Sequence, residues 1–150
     1  MKRSHRLQVV IDLYLRQENE ALQSLGRGQQ QLQDQQDQLQ SLQSYRDDYL
    51  QKLNEQQRVG MNVNQMLEFR AFADKLDKAI EGQQQVVTKK ESEVMRLRRR
   101  WEDSHQQTKS LQKLSDLAKA EELKIQYKQE QAEQDARAAR SSRKDGMGTA

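Results

Sequence analysis

Proline and cysteine are both absent from this 150-residue chain. Average usage would place about seven prolines in a chain of this length. Their absence leaves long helices without the residue that most effectively breaks them. Without cysteine there is no disulfide framework, no thiolate metal site and no thiol nucleophile. Aromatic residues make up only 5% and apolar residues 33%, too few for an ordinary globular core. The longest dense apolar stretch, Leu7–Leu15, is interrupted by Gln8 and Asp12. It falls far short of the ~20 residues needed to span a bilayer. Lys2, Arg3 and Arg6 precede it, as in a secretory leader, but Arg16, Glu18 and Glu20 follow with no small-residue cleavage site. The expected location is therefore the cytoplasm.

What is abundant is glutamine, 26 residues, and charge, 33% of the chain. Cations and anions nearly balance, at 26 and 23, so the net charge is only +3. That is not the footprint of a strong nucleic-acid binder. A chain this polar either stays disordered or buries narrow stripes along helices. The many strong helix formers favour helices.

Heptad spacing supports that choice. One register runs Ser4, Ile11, Glu18, Leu25, Leu32, Leu39, Arg46 and Leu53. The second, three residues on, runs Leu7, Tyr14, Ala21, Gly28, Gln35, Leu42, Tyr49 and Gln56. Ten of these 16 positions are apolar, which is the 3–4 alternation of a coiled-coil seam. A second seam follows through Met66, Ala73, Ile80, Val87, Val94 and Trp101. Its partner register runs Phe69, Leu76, Gln83, Lys90, Leu97, Ser104, Leu111, Ala118, Ile125 and Ala132. Between the two lies Gly60, suited to a left-handed helix end, with Asn62 or Asn64 able to cap the next helix. Asn62 followed by Gln65 resembles a capping box.

The spacing predicts an all-α fold: a long two-helix antiparallel coiled-coil hairpin over residues 1–140. Its parts are a helix at 5–57, a turn at 58–64 and a longer helix at 65–138. A disordered tail is expected at 141–150. Position x on the first helix should face about 122 − x on the second. That register brings Trp101 near Ala21, with Gly26 and Gly28 close by. Those glycines either make room for bulky seam partners or mark a local weakness of about 1 kcal/mol each. Residues beyond about 118 should have no partner within the hairpin.

No catalytic constellation emerges. His5 and His105 share no metal-binding spacing. Gly26-x-Gly28 lacks both a third glycine and a preceding strand, and no Walker motif is present. The acid pairs Asp47-Asp48 and Glu121-Glu122 have no pocket to shift their pKa values. The expectation is a non-enzyme with no cofactor and no metal. Arg96-Leu97-Arg98-Arg99-Arg100-Trp101 is the sharpest charge cluster, readable as an anion contact or as arginines coating a seam. The glutamine-rich run at 29–43 carries Leu32, Leu39 and Leu42 at seam spacing, which favours a helix over a prion-like segment. Phe69, Phe72, Ala73, Leu76, Ala79, Ile80, Val86 and Val87 form an apolar band wider than a two-helix seam needs. Its outer strip points to a partner site or to self-association.

The ordered set Tyr45-x-x-x-Tyr49-x-x-x-Leu53, Gly60, Phe69-x-x-Phe72-x-x-x-Leu76-x-x-Ala79-Ile80 and Trp101 resembles the flagellar type III export family FliJ over roughly residues 1–140. The stalk proteins of virulence injectisomes are close relatives. The resemblance implies a non-enzymatic coupling subunit similar to the gamma stalk of rotary ATP synthases. Its open end would enter the hexameric export ATPase. It would also contact the cytoplasmic domain of the membrane export gate and bind export chaperones, with no nucleic-acid partner. It implies a cytoplasmic protein held at the inner membrane of the flagellar base through its partners. The family's gate contact maps onto Phe72, Leu76 and Ala79, and Gln83 completes the stripe where the family pattern has histidine. For the ATPase end, placement alone points to Leu7, Ile11, Leu13, Tyr14, Leu123 and Ile125. The competing readings are a basic coiled coil binding nucleic acid through Arg96–Arg100 and a structural scaffold of parallel unbroken helices. Gly60 and the asparagine caps oppose the scaffold.

Overall fold

In the computed structural model, which describes residues 2–147, two helices account for nearly every residue: α1, Arg3–Val59, and α2, Val63–Met147. They are 57 and 85 residues long. The all-α hairpin with a longer second helix is thus the observed fold. Among the described residues no helix is long and apolar enough to cross a membrane.

The chain divides into two compact units. The larger, Glu18–Asp103, contains the turn. There Gly60 adopts φ 106° and its N–H donates to the Gln56 carbonyl at 3.0 Å, closing α1. Only glycine holds that backbone conformation without strain. Asn62, not Asn64, is the cap of α2: its Oδ1 accepts the Gln65 N–H at 2.8 Å. With the cap at Asn62, the turn shrinks from the expected 58–64 to three residues, and α2 begins at Val63 rather than 65.

Within this unit the seam follows the heptad positions. Ala21, Leu25, Leu53, Leu76, Ile80, Val87 and Val94 are buried. Gly28 belongs to the seam as well: a Cβ there would come within 2.7 Å of Leu97 Cδ1, whereas one on Gly26 would meet nothing within 4 Å. Gly28 is therefore the space-making glycine, and Gly26 faces outward. A polar layer crosses the seam where Gln83 Nε2 donates to both the carbonyl and the Oε1 of Gln35, at 2.9 and 2.8 Å. Such a layer fixes register, because sliding by a turn would strand the amide.

The other unit joins the start of α1, through Gln17, with α2 from Ser104 onward. Ile11, 2% exposed, and Ala118 are its buried apolar residues, while Ser4, Thr108 and Ser115 are buried along the same seam. Thr108 Oγ1 donates to its own helix at the Ser104 carbonyl. The first turn of α1 carries no acidic residue of its own. Glu122 of α2 supplies the missing carboxylate, accepting the Ser4 N–H at 3.1 Å and the Ser4 hydroxyl at 2.7 Å. This clasp satisfies an orphan donor at a helix N-terminus from the neighbouring helix. From Leu123 to Gly146 every side chain is exposed. The helix nevertheless continues past the expected end at 138 and through 141–147, where an irregular tail was expected. The Gln-, Glu-, Ala- and Arg-rich sequence up to Arg140 contains no helix breaker, so propensity carries α2 onward. The rest of the expected tail, 148–150, lies outside the described residues.

Candidate functional site

Four aromatic rings cluster near the turn. Tyr49 of α1 lies 5.4 Å from Phe69 and 4.7 Å from Phe72 of α2, measured between ring centroids. Tyr45 meets Phe72 edge-on at 6.4 Å. The Tyr49 phenol is pushed above its ordinary pKa, first by burial and then by the neighbouring Tyr45. The cluster lies at the edge of the seam, so part of it stays in solvent: Tyr45 is 53% and Phe72 37% exposed. A shared aromatic edge of this kind is rigid and offers a partner large apolar faces.

The four residues expected to form one contact stripe divide between two roles. Phe72 and Ala79 point outward. Leu76 is buried against α1, and Gln83 is half-buried in the polar layer with Gln35. In heptad terms Phe72 and Ala79 are g positions, and Leu76 and Gln83 are d positions. Leu76 and Gln83 therefore support the outward pair from beneath. Tyr45, absent from the expected stripe, completes the outward face. Its g position, directly across from Phe72, was the available signal.

The second expected group lies in the other unit and divides in the same way. Leu7, Ile11 and Tyr14 face the seam, while Leu13, Leu123 and Ile125 are about half exposed. Val9, Val10, Leu114 and Leu117 join the outward set, with Leu117 at 67% exposed. They were missed because seam periodicity directs attention inward. This unit is thus comparatively polar in its seam and apolar on part of its outside, the reverse of a self-sufficient helix pair.

Among the described residues no group of three or more His, Asp or Glu side chains could hold a metal ion. His5 and His105 both belong to the smaller unit, outside any such group. The hollow over Ile11, lined by Gln8, Gln112, Ser115, Asp116 and Lys119, is a surface furrow along the helix pair. These surfaces are suited to docking.

Compared with known protein families, the chain matches the model described as Flagellar FliJ protein over residues 2–146. No curated protein matches it. No solved structure matches it either.

Proposed function

From its membership of the flagellar FliJ family, to which this chain belongs, we propose that it couples the export ATPase to the export gate, one docking surface in each unit. Membership makes it a component of the flagellar type III export apparatus. In the larger unit the outward edge of Tyr45, Phe72 and Ala79 docks the cytoplasmic domain of the gate protein, with Leu76 and Gln83 holding that edge in place. In the smaller unit Leu13, Leu123 and Ile125, together with Leu114 and Leu117, contact the hexameric ATPase, while Leu7, Ile11 and Tyr14 keep the two helices paired beneath them. Export chaperones bind as further partners. The chain performs no chemistry itself. It acts by favouring particular conformations of ring subunits that hydrolyse the nucleotide. It works in the cytoplasm and is held at the membrane through its partners.

The observation that carries this reading is that each unit leaves bulky apolar side chains in solvent on a chain otherwise so polar. Purified chain should co-elute with the ATPase and raise its turnover. Phe72→Ala with Tyr45→Ala should abolish gate binding and leave ATPase stimulation intact. Leu13→Ser with Leu117→Ser should do the reverse. If both double variants retained both activities, the assignment would be wrong.

A further inference from the structure

The larger unit carries a second surface, separate from its aromatic edge. Lys90 Nζ lies 3.4 Å from both Gln31 Oε1 and Glu93 Oε2. Gln31 and Glu93 are both g positions, so the g sides of the antiparallel helices meet along one edge of the pair. The c positions flank them on that edge. Reading along it, α1 contributes Arg27, and α2 contributes Lys89 and Arg96 at c and Arg100 at g, with Arg99 adjoining at f. Glu93 falls among them but is paired with Lys90. All five cations are exposed. Among the described residues none of Arg96, Arg99 or Arg100 forms an ion pair. An exposed arginine coat can serve solubility alone, but solubility does not need Arg96, Arg99 and Arg100 gathered on one edge without ion pairs.

The patch is also bounded. Asp103 and Glu20, both c positions, lie just beyond its Arg100 end, and Asp34 stands level with Lys89. From Lys89 to Arg100 the helix rises roughly 17 Å. A nucleic-acid strand places one phosphate about every 3.4 Å, so beyond about five nucleotides it would run onto carboxylates at either end. An anionic membrane attracts such cations at about 1 kcal/mol each, but its flat sheet of headgroups would face the bounding carboxylates of Asp34, Asp103 and Glu20 at the same time. A short carboxylate cluster fits: three arginines at i, i+3 and i+4 can each engage a carboxylate with a two-pronged fork.

We infer that Arg27, Lys89, Arg96, Arg99 and Arg100 form a docking site for a carboxylate-rich peptide segment of a protein partner. The inference goes beyond the coupling role and does not depend on it. Its test uses no component of the export apparatus, so either reading can fail while the other stands.

The probe is a fluorescein-labelled five-residue polyglutamate peptide, about 17 Å long when extended, added to the full chain. Anisotropy and the fluorescence of Trp101, the chain's single tryptophan and the neighbour of Arg100, are followed together. The peptide should bind, change the Trp101 signal, and weaken as salt rises. Arg96→Gln, Arg99→Gln and Arg100→Gln combined should weaken binding at least about tenfold with helicity unchanged. The matching arginine-to-lysine triple keeps charge and helix propensity and should still lose binding about threefold, because the fork is gone. A ten-nucleotide single-stranded DNA and anionic vesicles should bind more weakly than the peptide. No peptide binding, unaltered binding by the glutamine triple, no loss in the lysine triple, or equal binding of DNA or vesicles would each overturn the proposal.

Discussion

Gly26 and Gly28 sit two residues apart on one helix, and alanine at the two positions should have different consequences. Each substitution removes the same backbone-entropy penalty, about 0.8–1 kcal/mol in a helix interior. At Gly26 a Cβ meets nothing within 4 Å, so the gain is kept. At Gly28 it would sit 2.7 Å from Leu97 Cδ1 and 3.6 Å from Val94 Cγ2. Carbon atoms pack comfortably at about 3.5–4.0 Å, so the leucine methyl must retreat by about 1 Å. At the end of a leucine that is a torsion change of roughly 25°, costing about 0.5–1.5 kcal/mol. The gain at Gly28 is therefore cancelled. Gly26→Ala should be the more stable by about 1 kcal/mol, or roughly 3 °C in melting temperature for a chain of this size. Thermal and urea unfolding followed by helical circular dichroism read the difference directly. Leu97→Ala should cost less in the Gly28→Ala background than in the parent, with a coupling of about 1 kcal/mol. Equal stabilisation by the two alanines would refute the seam contact of Gly28 and the register that produces it.

Leu76→Ala should lower stability by about 2–3 kcal/mol because it empties a buried seam position, whereas Phe72→Ala should lower it less and act mainly on gate binding; unfolding midpoints beside pull-downs separate the two. Gly60→Ala should cost about 1 kcal/mol or more through strain at its positive φ, read by urea titration. Glu122 is held below the ordinary glutamate pKa, first by the Ser4 hydroxyl and Ser4 N–H, against the opposing effect of burial, with lesser help from Lys2 and Lys119. Its clasp therefore contributes fully above the ordinary glutamate range and is lost as pH falls through the lowered value. Glu122→Gln should flatten the acid limb of the melting profile, and a carbon-13 titration of the carboxyl should show the low midpoint.

The pairing of the helices was legible in the heptads because a two-helix seam has one repeating rule. Ile11, Leu25, Leu53, Ile80, Val87 and Val94 are buried where that rule places them. The observed partners Ser4–Glu122, Gln31–Lys90, Gln35–Gln83 and Tyr49–Phe72 lie within about four residues of the expected register. The exposed apolar residues were less legible because a stripe of helical spacing mixes two heptad positions, g on the edge and d in the seam. Leu76 and Gln83 sit on the sequence stripe of Phe72 yet turn inward, since the stripe alternates between the edge and the seam. Gly26 and Gly28 look alike in sequence, and only the proximity of Leu97 separates them. The exposed helix from Leu123 to Arg140 shows that a polar segment without breakers need not stop where its packing partner stops.

The polar seam of the smaller unit has a consequence for timing. Where Ser4, Thr108 and Ser115 occupy register positions that Leu25, Ile80, Val87 and Val94 fill elsewhere, little apolar area is lost when the helices part. Amide hydrogens there should exchange with solvent sooner than those around Val87 and Val94. A partner that covers Leu13 and Leu117 would contribute the burial this seam lacks. Its arrival would then be recorded as slowed exchange at Thr108 and Ser115, positions it never touches.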